Sequence, residues 1–496
     1  MGKSIIIIGA GIAGLSAGCY GQMNGHQTQI FEMRDKPGGL CTSWKRKGYN
    51  IEGGFHALAG SSSALPFHAM WSELIDMSQI SFVNEDTRDI FEFQDGRRFY
   101  LYSNLERLEE YMKGIAPEDS EIIDEFIAGV RRFRRFSMPI EKPREFYGIR
   151  DYLKMVKYLP MVFFMKKWLN TSADDFARRF KNPFLRSAMQ YVLSPVLYEM
   201  MVLYVMDLKA SGYPTCGVLG FAKLIEKRYL SLGGEIHYDS RVASILVKND
   251  MAVGIELENG KQHAADIVIS AADGKTTIDK MLGGRYTDKK LAELYTHMEL
   301  NTSRILVSLG VDIPLDNIPF KTKYVLEKEK PFVIADGTRY GSIDLLKFSN
   351  MPDIVPSGKS LIRIELETRN DGFWTKLREA NRKSYLEEKE KIAREIIEIL
   401  DRKLEGIKDK INMIDVATPV TFIRYTGNWR GSIQGWQSEN IFKSNPFKKE
   451  LRGLSNFYMC GQWVEPGGGV PIAALSGRNL IQIICKRDGK QFLTLM

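Results

Sequence analysis

The run Ile5-Ile6-Ile7-Ile8, followed at once by Gly9-Ala10-Gly11-Ile12-Ala13-Gly14, constrains this chain more than any other stretch. Consecutive β-branched residues read as a buried strand, and the GxGxxG spacing reads as a turn into a helix from Ile12 to about Asn24. A second short strand, Thr28 to Phe31, ends at Glu32 and completes a βαβ unit. Gly9 permits the tight turn, Gly11 lets backbone approach a pyrophosphate, and Gly14 lets helix and strand close up. The helix N-terminus adds positive dipole, and Glu32 stands where an acid accepts hydrogen bonds from a ribose. The unit therefore predicts a bound dinucleotide.

Length and charge exclude several other classes. A chain of 496 residues, 44% hydrophobic and 26% charged, is ordinary globular material for about two to four domains. A net charge of +8 is too small an excess to argue for nucleic acid. Cys19, Cys41, Cys216, Cys460 and Cys485 are scattered, without a CxxC, so neither a disulfide framework nor a metal site is expected, and a cytoplasmic, reducing setting is. The chain enters its first strand at Ile5, which predicts no cleavable leader. The longest apolar runs, Tyr158 to Met165 and Met200 to Met206, fall well short of the roughly 18 residues of a spanning helix.

Along the chain, Glu32 is followed by the glycine pair Gly38-Gly39, and Gly48 to His56 reads as a glycine-rich strand and loop. From about Ser72 to Met206 the pattern predicts long amphipathic helices, with Ser103-x-x-Glu106 as one capping box and Thr171 or Ser172 opening another helix. Within it, Phe146 to Leu169 interleaves aromatic and aliphatic residues with Arg150, Lys154, Lys157, Lys166 and Lys167. Such a stretch suits a bilayer interface or a helix packed on its own domain with solvated lysines; periodicity does not separate the two. The Met-rich run Met189 to Met206 reads as core before it reads as a tunnel lining.

From Gly212 the nucleotide module resumes: a helix over Phe221 to Leu232, Gly233-Gly234-Glu235-Ile236, paired strands from His237 to Glu258, and a buried strand ending in Ala271-Ala272-Asp273. Ser303 to Val311 and Ser360 to Glu367 read as strands of a second unit. A helix opened by Ser384-x-x-Glu387 should cover that sheet with Leu386, Ile392, Ile396, Ile399 and Leu400. Near the end, Cys460-Gly461-Gln462-Trp463-Val464-Glu465-Pro466-Gly467-Gly468-Gly469-Val470-Pro471 leads into a helix from about Ile472 to Lys486, whose open first amides could face a ligand.

Taken in order, Gly9-x-Gly11-x-x-Gly14, Glu32 with Gly38-Gly39, the Pro214 region, Gly233-Gly234-Glu235-Ile236, Ala271-Ala272-Asp273 and Pro466 to Pro471 with Ser476-Gly477 resemble the phytoene desaturase, carotenoid isomerase and retinol saturase family, within the flavin amine-oxidase-like superfamily. The resemblance implies a glutathione-reductase-like Rossmann FAD-binding domain that is discontinuous, over residues 1–70, 207–290 and 452–496. It implies also a helical insertion over 71–206, a candidate membrane face and substrate entry, and a mixed-sheet substrate domain over 291–451. Non-covalent FAD is implied at Gly9, Gly11, Ile12, Ala13, Gly14, Glu32, Met33, Gly39, Leu40, Gly54, Phe55, His56, Val242, Ala272, Gly461, Gly469, Val470 and Pro471. Val242 would lie beside the adenine. The implied activity is hydride exchange with a long apolar polyene or isoprenoid, either desaturating or saturating it, with peripheral membrane association and no metal or nucleic acid.

A double-bond isomerase, an amine oxidase and a non-redox prenyl-lipid escort share the fold. Two positions depart from the carotenoid desaturases, which commonly carry Thr-His where this chain has Val464-Glu465 and Asp where it has Glu52. His56 and Glu465 are the titratable residues expected nearest the flavin, either of them a candidate proton donor.

Overall fold

The computed structural model describes residues 2–193, 195–437, 447–467 and 469–494. Its organising layer is a parallel five-stranded sheet in the order Glu235–His237, Gln27–Phe31, Ser4–Ile8, Ile267–Ser270, Phe457–Met459. The isoleucine run sits centrally because it is apolar on both faces. Ile5 and Ile7 pack with the first helix, Ile12–Met23, and the last, Gly469–Arg487. Ile6 and Ile8 face Val242, Ile245 and Ile255 of a small antiparallel sheet built from Val242–Lys248, Met251–Leu257 and Gln262–Ala264. Burial on both faces is what a continuous β-branched run specifies in a parallel sheet. The first and last helices touch closely: a Cβ on Gly477 would come 2.5 Å from the carbonyl oxygen of Ala13. The sheet is thus assembled from three stretches far apart in sequence.

A second sheet of seven strands runs in the order Ile411–Ala417, Ser303–Val311, Ser360–Thr368, Ser342–Ser349, Lys321–Val325, Thr87–Glu92, Arg98–Tyr102. It is antiparallel except where Lys321–Val325 meets Thr87–Glu92. The last two strands correct the expectation of helix throughout 71–206. Ile90, Phe91 and Phe93 lie before the turn at Asp95-Gly96 and Phe99 and Leu101 after it, all buried, and this hairpin joins the second sheet.

The covering helix spans Arg382–Asp401, capped by Asn381, whose side chain accepts from the amides of Lys383 and Ser384. Its buried face is Tyr385, Ile392, Ala393, Ile396, Ile397 and Leu400, while Leu386 points outward, so the predicted Ser384 cap and the Leu386 contact are both displaced. The Ser103 capping box is likewise corrected: Asn104 caps Leu105–Ile115 by accepting from Arg107, and the Ser103 hydroxyl donates to the carbonyl of Glu85. Ser172 caps its helix as expected.

The helices between Leu105 and Asp207 form a third cluster, in which Met189 and Met200 are fully buried. On its outer side lie Ile149–Met155 and Leu159–Leu169. Met161, Phe164, Met165 and Trp168 turn inward, whereas Ile149 (80%), Leu153 (66%) and Phe163 (69%) are exposed, with Tyr152, Val156, Leu159 and Val162 beside them. Among the described residues no single helix is long and apolar enough to cross a membrane.

Candidate active site

The glycine turn closes on one side and opens on the other. Gly9 has φ of +100°, a conformation that L side chains rarely adopt, and its amide donates to Phe31 across the sheet at 2.8 Å. A Cβ on Gly14 would lie 2.0 Å from the Gly9 carbonyl oxygen, so glycine there lets helix and strand touch. A Cβ on Gly11 would meet nothing within 4 Å, and no side chain caps the first helix there. The amides of that first turn consequently have no intrahelical partners and no capping oxygen.

Distant pieces converge on this opening. The Gly38 amide donates to the Ala10 carbonyl at 2.9 Å, and a Cβ on Gly39 would stand 3.4 Å from the Gly11 Cα. Gly461, at φ of +95°, faces the first helix, since a Cβ on it would come 3.2 Å from that of Ala13. Its amide donates to the hydroxyl of Ser476 at 2.8 Å. Glu32 is buried, its carboxylate accepting from the amides of Ala10 at 2.8 Å and Arg34 at 3.0 Å. Burial pushes its pKa up, and these amides oppose the shift. The Glu32 carbonyl accepts from Ser240, bringing the segment before Val242 alongside. Ala272 follows the strand beside the isoleucine run, its amide directed at the Ser270 hydroxyl at 3.4 Å.

A second group surrounds the loop after Tyr49–Glu52. A Cβ on Gly54 would stand 3.2 Å from the Leu40 carbonyl oxygen, and Phe55 packs edge-on against Phe221. The Glu52 carboxylate accepts from the Tyr213 hydroxyl and the Val218 amide, each at 2.7 Å. His56 directs Nε2 at Glu365 Oε2, 3.0 Å away. Gly469, Val470 and Pro471 form the first turn of the last helix; Gly468 lies outside the described residues. Met33 adjoins Gly427, where an added Cβ would be 3.6 Å from the methionine methyl.

The two titratable candidates differ in setting. Glu465 is drawn into an ion pair with Lys449 at 2.7 Å, and the same ammonium reaches Glu145 at 2.8 Å. His56 instead joins a charged cluster on the second sheet that the sequence reading missed. Glu365 lies 3.0 Å from Arg304 Nη1 and 2.9 Å from Arg363 Nη2, and Arg363 Nη1 donates to the backbone carbonyl of Glu52. Burial raises the Glu365 pKa, but Arg304, His56 and Arg363 together hold it well below the usual carboxylate range. Burial lowers the pKa of His56, with Glu365 opposing. The signal was present in Leu361-Ile362-Arg363-Ile364-Glu365-Leu366, where two charges share one face of an otherwise apolar strand.

The chain has counterparts among known proteins in sequence and in fold. The model of the family described as flavin containing amine oxidoreductase matches residues 12–277. The chain is 26% identical over 513 residues to prolycopene isomerase 2, chloroplastic, of an Oncidium hybrid cultivar, covering 95% of this chain and 82% of that one. It is 25% identical over 516 residues to the 1-hydroxycarotenoid 3,4-desaturase of Flavobacterium sp. strain P99-3, covering 97% and 99%. Its fold resembles that of an oxidoreductase from Methanosarcina mazei, with TM-score 0.60, 17% identity, and 97% and 100% of the two chains covered. A family match over more than half the chain, running from the first helix through the Glu32 strand to the strand that ends at Ser270, settles the kinship: the chain belongs to the flavin containing amine oxidoreductase family and is a flavin-dependent oxidoreductase.

Proposed function

We propose that the protein binds FAD without a covalent link and uses it on carbon–carbon bonds of a long apolar polyene or isoprenoid, desaturating or saturating it. The observation that carries the cofactor half is the opening over Gly11, walled by Gly39 and Gly461, with an uncapped helix N-terminus beneath it. Anionic phosphate oxygens fit that combination of bare amides, dipole and missing side chains. In this reading the parallel sheet is a Rossmann core and the FAD-binding domain comprises residues 1–70, 207–290 and 452–496. Glu32 holds a ribose, Val242 lies beside the adenine, and Gly54 to His56 with Gly469 to Pro471 flank the flavin ring. FAD, when bound, supplies the hydride chemistry.

The chain's own residues position the substrate, keep out water and handle one proton. His56 is the better proton-handling candidate of the two. Its Nε2 is committed to Glu365, which fixes the tautomer and leaves Nδ1 for the substrate side, whereas Glu465 is already paired with Lys449.

The substrate class is supported by the names of the two sequence relatives above, both of which concern carotenoids, and by the outward apolar face around Ile149, Leu153 and Phe163. Between Arg131 and Asn170 the chain has eleven basic residues against Glu141, Glu145 and Asp151, a surplus that equals the net charge of the whole protein. Apolar side chains ringed by basic ones suit peripheral binding to an anionic membrane, where an insoluble polyene resides. With five free cysteines, a cytoplasmic setting on such a membrane is the consistent location.

The prolycopene isomerase relatives favour one second reading, isomerisation of a double bond without net redox change. A single experiment separates the two. The purified yellow protein is reduced without oxygen and mixed with a panel of carotenoids. Reoxidation of the flavin with altered hydrogen content in the product supports the redox reading; a rearranged polyene of unchanged composition supports the isomerase. A colourless protein that cannot be reconstituted with FAD overturns the cofactor assignment.

A further inference from the structure

The second sheet presents a polar island on the face turned toward the loop carrying His56. Ser308 stands opposite Arg363 in register, and Leu306 opposite Glu365, so Arg304, Ser308, Arg363 and Glu365 share that face. Leu306, on the same face, packs with Phe422, Leu40 and Trp44. Arg363 is 0% exposed, and its guanidinium lies over the ring of Phe348 at 5.4 Å. Nε of Arg304, Nε and Nη2 of Arg363 and the Ser308 hydroxyl are buried without a hydrogen-bond partner among the described residues; they outnumber the one orphaned acceptor on this face, Glu365 Oε1, which stands 2.9 Å from Arg363 Nη2 as an ion pair. Buried donors are ordinarily satisfied, and leaving one unpaired is costly, so several on one face mark a place built for an acceptor.

The place is reached from the side of the His56 loop. The His56 side chain, 3.0 Å from Glu365, is 34% exposed, and that of Arg304 is 16% exposed, so the polar island is open at one edge and closed at Arg363.

The charges decide what the acceptor is. Both guanidiniums pair with Glu365, and the Glu52 carboxylate, held by the Tyr213 hydroxyl, acts on Arg363 through space while the Glu52 backbone carbonyl accepts from Arg363 Nη1, so two carboxylates stand against two guanidiniums. A further carboxylate would bring an uncompensated negative charge into a buried site. A neutral oxygen accepts the spare N–H groups and disturbs no balance. We propose that Arg304 and Arg363 form a terminal recognition site for a neutral oxygen function, a carbonyl or a hydroxyl, on an otherwise hydrocarbon polyene. The proposal rests on the polyene reading above and sharpens it, making these arginines specificity determinants and placing the substrate's polar end against the second sheet.

The test uses the flavin-loaded full chain in detergent micelles and three probes that differ only at one end: 4,4'-diaponeurosporene, its terminal aldehyde and its terminal carboxylate. Binding is read from quenching of tryptophan fluorescence by the polyene. The aldehyde is expected to bind about tenfold more tightly than the hydrocarbon, as hydrogen bonds from charged donors allow, and at least as tightly as the carboxylate. Arg363→Met should bring the aldehyde down to the hydrocarbon's affinity and leave the hydrocarbon unchanged. Arg304→Met, at a less buried position, tests the same point if Arg363→Met fails to fold. Equal binding of aldehyde and hydrocarbon by the natural protein overturns the proposal. So does tightest binding of the carboxylate, or a preference that survives both substitutions. Loss of flavin with the preference retained shows that the donors serve the cofactor, and also overturns it. Binding of none of the probes overturns the polyene reading itself and this refinement with it.

Discussion

Gly14 and Gly9 are in backbone contact: a Cβ on Gly14 would lie 2.0 Å from the Gly9 carbonyl oxygen, while one on Gly11, three residues earlier, would meet nothing within 4 Å. Two substitutions in one motif should therefore fail in different ways. Gly11→Val should fold with a melting temperature close to that of the unliganded natural protein and retain no flavin, because its side chain fills the proposed phosphate space. Gly14→Val must push helix and strand apart and should lose about 3 kcal/mol of stability, as overpacking does. Calorimetry of the apo-proteins and absorbance of the purified forms check both. A yellow Gly11→Val protein would sink the assignment.

The Glu365 cluster predicts a pH-dependent stability difference. Replacing Glu365 by Gln leaves two buried guanidiniums short of a charge partner and should cost about 3 kcal/mol at neutral pH. The Glu365 pKa is held well below its usual 4.5 in the folded protein. Its contribution is accordingly complete above 4.5 and fades as pH falls through the folded value, where the natural carboxylate also takes a proton. Denaturant unfolding of both proteins should show the gap closing on the acid side. A gap that is constant down to the acid limit would contradict the ion-pair account.

How much of this was legible in the chain follows from which interactions are local. Ile5 to Gly14 needs only its own backbone geometry and declares itself, as do the β-branched, largely apolar strands Ser303–Val311 and Ser360–Thr368. Asn381 and Asn104 displaced the predicted caps because several cap-competent residues stand near each helix start, and only the chain's entry angle selects among them. The hairpin Thr87–Tyr102 was hidden because the adjacent charges Arg88-Asp89 and Arg97-Arg98 interrupt the two-residue alternation that marks a strand. Least legible was the cluster of His56, Arg304, Arg363 and Glu365. Its members come from a loop and two strands far apart in sequence; Arg363 and Glu365 stand out as two charges on one face of an apolar strand, but nothing in that strand points to His56 or Arg304.

The outward face of Ile149–Met155 and Leu159–Leu169 predicts membrane binding separable from folding. Leu153→Glu with Phe163→Glu changes side chains that are 66% and 69% exposed, so stability should move by less than about 0.5 kcal/mol. Binding to vesicles containing anionic phospholipid should fall by at least tenfold, since apolar contact is lost and like charge is added. For the natural protein, binding should weaken with salt and with zwitterionic vesicles, each basic residue near the surface contributing about 1 kcal/mol. Unchanged sedimentation of the double variant with anionic vesicles would remove this face from consideration.

Lys449 offers the sharpest energetic test, because its ammonium serves one buried and one exposed carboxylate. Its side chain is only 7% exposed, paired with Glu465 at 18% and Glu145 at 45%. Burial works against the charged lysine, but Glu465 and Glu145 outweigh it and raise its pKa. Glu145→Ala should cost less than about 1 kcal/mol, since solvent screens an exposed pair. Lys449→Met, by contrast, leaves the Glu465 carboxylate buried and unpaired and should cost about 3 kcal/mol. Adding Glu465→Gln to Lys449→Met removes the orphaned charge, so the double variant should be more stable than Lys449→Met alone. Urea unfolding of the four proteins closes a double-mutant cycle, and a coupling of at least about 1 kcal/mol is expected between Lys449 and Glu465. Strict additivity would show that the pair is incidental and that Glu465 draws its place from the turn at Gly461, whose carbonyl accepts the Glu465 amide at 2.9 Å.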